Sequence, residues 1–233
     1  MTSSLDVRPT EAEPGTARRP APFGPGLAIA GLVLGAGGNT AQAALGQLAD
    51  RPDTVGEQIA YANEHPVMSI AICVVGTVAV PFMAIGFLAA SRFLRGAMRR
   101  TGTVAAVFLV LGMFGFMAVQ VAELIQLDAM LDPAGEAAAT YLDLTDSSVL
   151  LGVLFGAPFM LGCVLGMLTL TIGLLVKGAG VPRWIPASWL VFILLDFSIG
   201  SVGPVDPHWL YLLGAVGFAV HLGRDGGRAW RNA

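Results

Sequence analysis

Continuous apolar runs, each ended by a short cluster of polar or charged residues, occupy most of this chain. They fall near 23 to 44, 66 to 90, 102 to 125, 148 to 176, 184 to 201 and 207 to 222. The runs do not alternate polar with apolar positions, which predicts helices and argues against the strands of a membrane barrel. About 20 apolar residues cross about 30 Å of hydrocarbon at about 1.5 Å per residue. The pattern therefore predicts an all-α polytopic membrane helix bundle with about six transmembrane helices spanning 22–223. Gly37, Gly38, Asn39, Thr40 and Gln42 interrupt the first run, and the last is short, ending at Gly223 and Arg224. Residues 1–21, rich in Pro, Thr, Glu and Arg, read as a disordered tail, and 224–233 as a short basic tail.

Smaller signals sit within this frame. Thr54 and Glu57 match a capping box ahead of EQIAYANEH and predict a short helix leading into the second span. The loop 128–146 carries a second helix-compatible stretch, EAAATYLDL. Pro81 and Pro158 stand near the middles of the second and fourth spans, where each removes a helix hydrogen bond and is expected to bend its helix. Apolar side chains gain little by leaving lipid for a neighbouring helix, so small residues that let backbones approach should hold the bundle together. Gly31 with Gly35, Gly152 with Gly156 and Gly162 with Gly166 form GxxxG pairs expected to serve internal packing.

Composition agrees with a membrane protein: 55% of residues are hydrophobic and 12% charged, a balance foreign to soluble domains of this length. Charge adds an orientation. Of the 13 Lys and Arg residues, all but Arg51 fall before span one, between spans two and three, between spans four and five, or after span six. Those segments hold 12 basic and 4 acidic residues, whereas the opposite segments hold 1 and 11. The positive-inside rule makes the basic side cytoplasmic, with both termini inside and the protein in the plasma membrane. Arg18, Arg19 and the Ala41-Gln42-Ala43 triplet also match a signal peptide, an alternative that would remove span one without turning the others over.

Polar residues at membrane depth supply the candidate chemistry. Asp196 follows Arg183 by 13 positions, about 20 Å along a helix, and such acids face a bundle interior, find a partner or change protonation state. Gln120, Glu123 and Gln126 recur every three residues on span three, and Asn39 and Gln42 repeat that spacing on span one. His65 and His208 begin spans two and six. Together these predict an outward-facing pocket containing Asn39, Gln42, Gln120, Glu123 and Asp196 with the two histidines at its rim; Asp196 and Glu123 are also the candidate catalytic acids. The competing interpretation is ordinary interhelical hydrogen bonding. His65, Glu123, Asp196 and His208 are metal-ligand types, but they are scattered singly over four helices, so neither a metal nor a haem is expected. The isolated Cys73 and Cys163 read as buried apolar residues, not a disulfide or CxxC site.

No P-loop, GxSxG elbow, HExxH or dinucleotide fingerprint occurs. Nucleotides, other cofactors and nucleic acid are not expected partners; the lipid bilayer is, and a membrane-protein partner for the acidic loops is an open alternative. EHPVMSI at the start of span two, SRFLRGAMRR after it and GAGVPRW between spans four and five resemble a broad group of uncharacterised six-span membrane proteins common in high-GC bacteria. The resemblance implies a fold and a location, without a reaction or an active-site residue. Three functions follow as expectations: transport or sensing of a small solute, cation or proton; a membrane-embedded enzyme using a buried carboxyl group on a lipophilic substrate; or an accessory subunit.

Overall fold

In the computed structural model, the described residues are 23–49, 54–94, 98–131, 148–178, 180–200, 206–224 and 228–231. The expected tail at 1–21 and the EAAATYLDL stretch lie outside them. Among the described residues the secondary structure is helical apart from one isolated bridge between Leu94 and Gly178. Six apolar helices coincide with the six runs: α1 (Pro25–Leu48), α3 (Pro66–Ser91), α4 (Arg99–Leu131), α5 (Val149–Lys177), α6 (Trp184–Ser198) and α7 (His208–Gly223). Of these, α1, α3, α4 and α5 are long and apolar enough to cross a membrane, whereas α6 and α7 have 15 and 16 residues. A surface helix, α2 (Val55–Glu64), and a C-terminal turn, α8 (Arg228–Arg231), complete the order.

Local signals explain several boundaries. The Thr54 hydroxyl accepts the Glu57 backbone N–H at 3.4 Å and donates to the Glu57 carboxylate at 2.6 Å, so Thr54 is the N-cap of α2, with Glu57 held on its hydroxyl. Prolines at the starts of α1 and α3 cost nothing there, since the first helical N–H groups have no intrahelical partner. Pro81 lies within a continuous α3. Pro158 instead follows a π-helical turn at Gly152–Gly156 inside α5, where the wider i→i+5 pattern relaxes the hydrogen-bond ladder just before the missing donor.

The six apolar helices form a closed ring in chain order, each antiparallel to the next, with α7 returning to pack on α1. One end holds α2, Asp128 and Asp206; the other holds Arg92, Arg99, Lys177, Arg183 and Arg224. Every member of the ring turns a large hydrophobe outwards: Leu34, Val78, Phe114, Leu161, Leu194 and Leu213 are all largely exposed. Such a continuous apolar girdle fits hydrocarbon and would be a liability in water.

Contacts within the ring run through small residues. A Cβ on Gly35 would stand 2.5 Å from the Met83 backbone nitrogen on α3, and Gly112 on α4 meets Gly162 on α5 with similar closeness. Gly31, Gly35, Gly162 and Gly166 therefore serve internal packing. Gly152 and Gly156 differ: a Cβ at either position would meet nothing within 4 Å, so this third pair makes no close contact in the bundle.

Filling the basic end is an aromatic layer. Trp189 and Phe218, both fully buried, stack at 5.7 Å and 2°, and Phe93 meets Phe218 edge-on at 5.1 Å. The Trp189 indole donates to the Tyr211 carbonyl at 3.0 Å, so its one polar atom is satisfied. Beneath this layer Trp230 of α8 packs beside Phe23, with the Arg92 guanidinium 4.5 Å from its ring centre.

Gly35 and Gly37 offer a controlled comparison on one helix, because a Cβ at Gly37 would meet nothing within 4 Å. Gly35→Ala should lower stability by about 2 kcal/mol, the scale of an overpacked contact. Gly37→Ala should be neutral or slightly stabilising, since it removes unfolded-state freedom without a clash. Thermal unfolding of the two variants in the same detergent checks the difference.

Candidate functional site: a cavity at the centre of the ring

Closing six helices around an axis leaves a central space that side chains must fill. In the half towards the basic end the aromatic layer does so. Towards the acidic end a cavity of about 530 Å³ remains, and all six ring helices contribute to its wall. Its volume lies within the range of about 300–1,000 Å³ common for small-molecule sites.

The polar wall starts on α1. Asn39, Gln42, Ala43, Gly46 and Gln47 line the cavity, offsets of three, four, seven and eight residues that form one helical face. From α4 come Gln120 and Glu123; from α6, Asp196; from the start of α7, His208, with Asp206 just before it. Thus Asn39, Gln42, Gln120, Glu123, Asp196 and His208, anticipated from depth and phase, all border one space. The Gln42 amide donates to the Gln120 side-chain oxygen at 3.0 Å. Gly76 on α3 makes that bridge available, because a Cβ there would collide with both glutamines.

Two expected positions lie elsewhere. His65 is exposed at the junction of α2 and α3, with its ring 4.7 Å from that of Tyr61, and does not line the central cavity. Gln126 borders a smaller space of about 120 Å³ beneath α2, lined also by Tyr61, Cys73 and Met130. The reason is helical phase: each step of three advances about 300°, so residues 120, 123 and 126 spread over about 120° of the helix surface. Glu123, in the middle of that spread, borders both spaces.

Asp206 is the site residue that the depth pattern left out. It is buried and organises the start of α7. One carboxylate oxygen accepts the His208 backbone N–H at 2.8 Å and lies 2.7 Å from His208 Nδ1. The other accepts from Gln47 at 2.8 Å. The Asp-Pro-His sequence was the available signal, since an Asp side chain readily caps an N–H two residues on. Gln47 was likewise legible as the position eight after Asn39.

Asp206 also sets the chemistry of the histidine. A carboxylate beside Nδ1 favours a proton on that nitrogen and leaves Nε2 as the acceptor of the neutral ring. The Asp196 carboxylate stands 3.9 Å from the same Nδ1, beyond hydrogen-bond reach of a donor that Asp206 already engages. Thr40 fixes the helix behind them by donating to the His208 carbonyl at 3.0 Å. Below this polar rim the wall turns apolar: Phe116 stacks on Phe159 at 4.7 Å, and Phe192 on Tyr211 at 5.2 Å, with Met83 and Met167 also lining it. No group of three or more His, Cys, Asp or Glu side chains among the described residues is arranged to hold a metal ion.

The fold and site define an all-helical bundle, with several apolar helices suited to a membrane, built around an amphipathic cavity. No protein family, curated protein or solved structure matches the chain.

Asp206→Ala removes two side-chain partners and the cap of α7, bonds to a charged group worth about 1.5–3 kcal/mol each. It should destabilise the protein by about 4–5 kcal/mol, and Gln47→Ala, which removes one of these bonds, by only about 1.5 kcal/mol. Equal losses in thermal unfolding would show that Asp206 does not organise this end of the bundle.

Proposed function

We propose that the chain crosses the plasma membrane six times, with both termini cytoplasmic, and binds a small solute in its central cavity as a transport or sensing protein. In this orientation α6 and α7 are spans shortened at their ends, the acidic end faces outwards, and the cavity receives its ligand from that side. The basic residues on the opposite segments support the orientation. Membership in the group of six-span proteins from high-GC bacteria is part of the same reading.

One observation carries the functional part: a cavity of about 530 Å³ with a polar rim and an apolar interior, centred in the ring and backed by the Trp189–Phe218 stack. Burying Asp206 and Gln120 beside an open space costs desolvation that packing alone would have avoided. A ligand-binding role accounts for it. The closed aromatic layer favours binding and sensing from the outer side over free passage, and transport would require that layer to part.

A second reading has its own support in the Asp206–His208 pair. A carboxylate-oriented imidazole bordering an apolar cavity is the arrangement of a general base, with Asp196 nearby as an acid for a lipophilic substrate. Turnover lost in His208→Gln while ligand binding persists would favour the enzyme; binding and turnover lost together would not.

The binding role is tested by extracting the protein in polymer discs, denaturing it, and comparing released small molecules by mass spectrometry with those from Ala43→Phe, which fills the cavity from α1. A compound retained by the wild type and depleted in the variant is the expected result. Identical profiles in two equally folded proteins would contradict a ligand site. Reporter fusions after residues 136 and 233 should report an outer and a cytoplasmic location respectively.

A further inference from the structure

The balance of charge and aromatic surface in the cavity points to the class of ligand. Its rim presents three carboxyl groups, Glu123, Asp196 and Asp206, against one imidazole, with no lysine or arginine among the described lining residues. An anionic ligand would meet like charge in a space of reduced dielectric, where such repulsion is felt more strongly than in water.

The carboxyl groups are not equivalent. Both Asp206 oxygens are engaged by Gln47 and His208. Asp196 makes no hydrogen bond with the described residues, and the nearest imidazole nitrogen, His208 Nδ1, is 3.9 Å away and turned to Asp206 at 2.7 Å. Glu123 is shared with the smaller space beneath α2, so Asp196 is the carboxyl group that borders the central cavity alone and is not tied up by a neighbouring side chain. It is framed by Phe192, one helical turn before it, and Phe197, immediately after it, both of which line the space. Phe192 is stacked in turn on Tyr211.

An acidic group among aromatic rings suits a cation whose own surface is apolar. Ring faces attract positive charge, an effect of about 0.5–2 kcal/mol that grows as water is excluded. A bare metal ion is a poorer match, because it requires several oxygen or nitrogen ligands converging on one point, and no such group exists among the described residues. We propose that the central cavity is a site for a hydrophobic organic cation, a substituted ammonium whose charge meets Asp196 and whose apolar groups lie against the aromatic wall. This rests on the reading of the cavity as a ligand site and names what that site takes.

Three probes of nearly the same shape separate charge from fit: benzyltrimethylammonium, its uncharged carbon isostere neopentylbenzene, and the anion phenylmethanesulfonate. Each is titrated against the full-length protein in lipid nanodiscs, and binding is read as the rise in the thermal unfolding midpoint followed by tryptophan fluorescence. Benzyltrimethylammonium should act at roughly tenfold lower concentration than either analogue. Asp196→Asn, which keeps the shape of the side chain, should erase that preference while leaving the response to neopentylbenzene. Phe192→Leu should weaken the cation selectively, providing a second variant should Asp196→Asn not fold.

Equal action of all three probes on the wild type would overturn the cationic class and leave the ligand cavity standing. A response to none of them would overturn the proposal as well. The cavity reading would then be decided separately by the small molecules released from wild type and Ala43→Phe.

Discussion

In hydrocarbon an apolar side chain gains little by turning from lipid to a neighbouring helix, so the ring depends on backbones that approach where a Cβ is missing. Gly35 against Met83, Gly112 against Gly162, and Gly214 beside Trp189 set these approaches on successive pairs around the ring. Once the walls are drawn together in this way, the shape of the centre follows from what points inward. Large rings at Trp189, Phe218 and Phe93 close one half, and shorter polar chains at the other half leave it open.

Gly76 shows how closely packing and site are joined. Its missing side chain is the space in which Gln42 of α1 reaches Gln120 of α4 across α3. The bond matters most to Gln120, whose side chain is buried and would otherwise carry an unpaired amide. The same economy governs Asp206: one carboxylate caps α7, orients His208 and holds Gln47, and so ties the end of α1 to the start of α7 where the ring closes.

Much of this was legible in the sequence, for a physical reason. Against a background of Leu, Val and Ala, each polar residue at depth stands out, and helical phase gathers Asn39 with Gln42 and Gln120 with Glu123. His65 did not follow that logic because α2 supplies Tyr61 as a partner outside the ring. The apolar interior was not legible at all. Phe114 and Phe116 are two residues apart on α4, yet the first is largely exposed on the outside and the second lines the cavity. Nothing in an apolar run distinguishes a ring that faces lipid from one that faces a ligand. GxxxG spacing was similarly mixed: two pairs mark tight crossings, while Gly152 and Gly156 sit in the π-helical turn without a close neighbour.

The central claim is that a solvent-reached cavity opens towards the outer, acidic end of the ring and stops at its middle. Cysteine accessibility tests it directly, with Ala43→Cys and Ala36→Cys each placed in a background lacking Cys73 and Cys163. Both positions lie on α1, about 10 Å apart along the axis, but Ala43 borders the cavity and Ala36 is fully buried. A membrane-impermeant methanethiosulfonate added outside intact cells should label Ala43→Cys and spare Ala36→Cys. Labelling of neither from outside, or of Ala43→Cys only from the cytoplasmic face of inverted vesicles, would contradict the account.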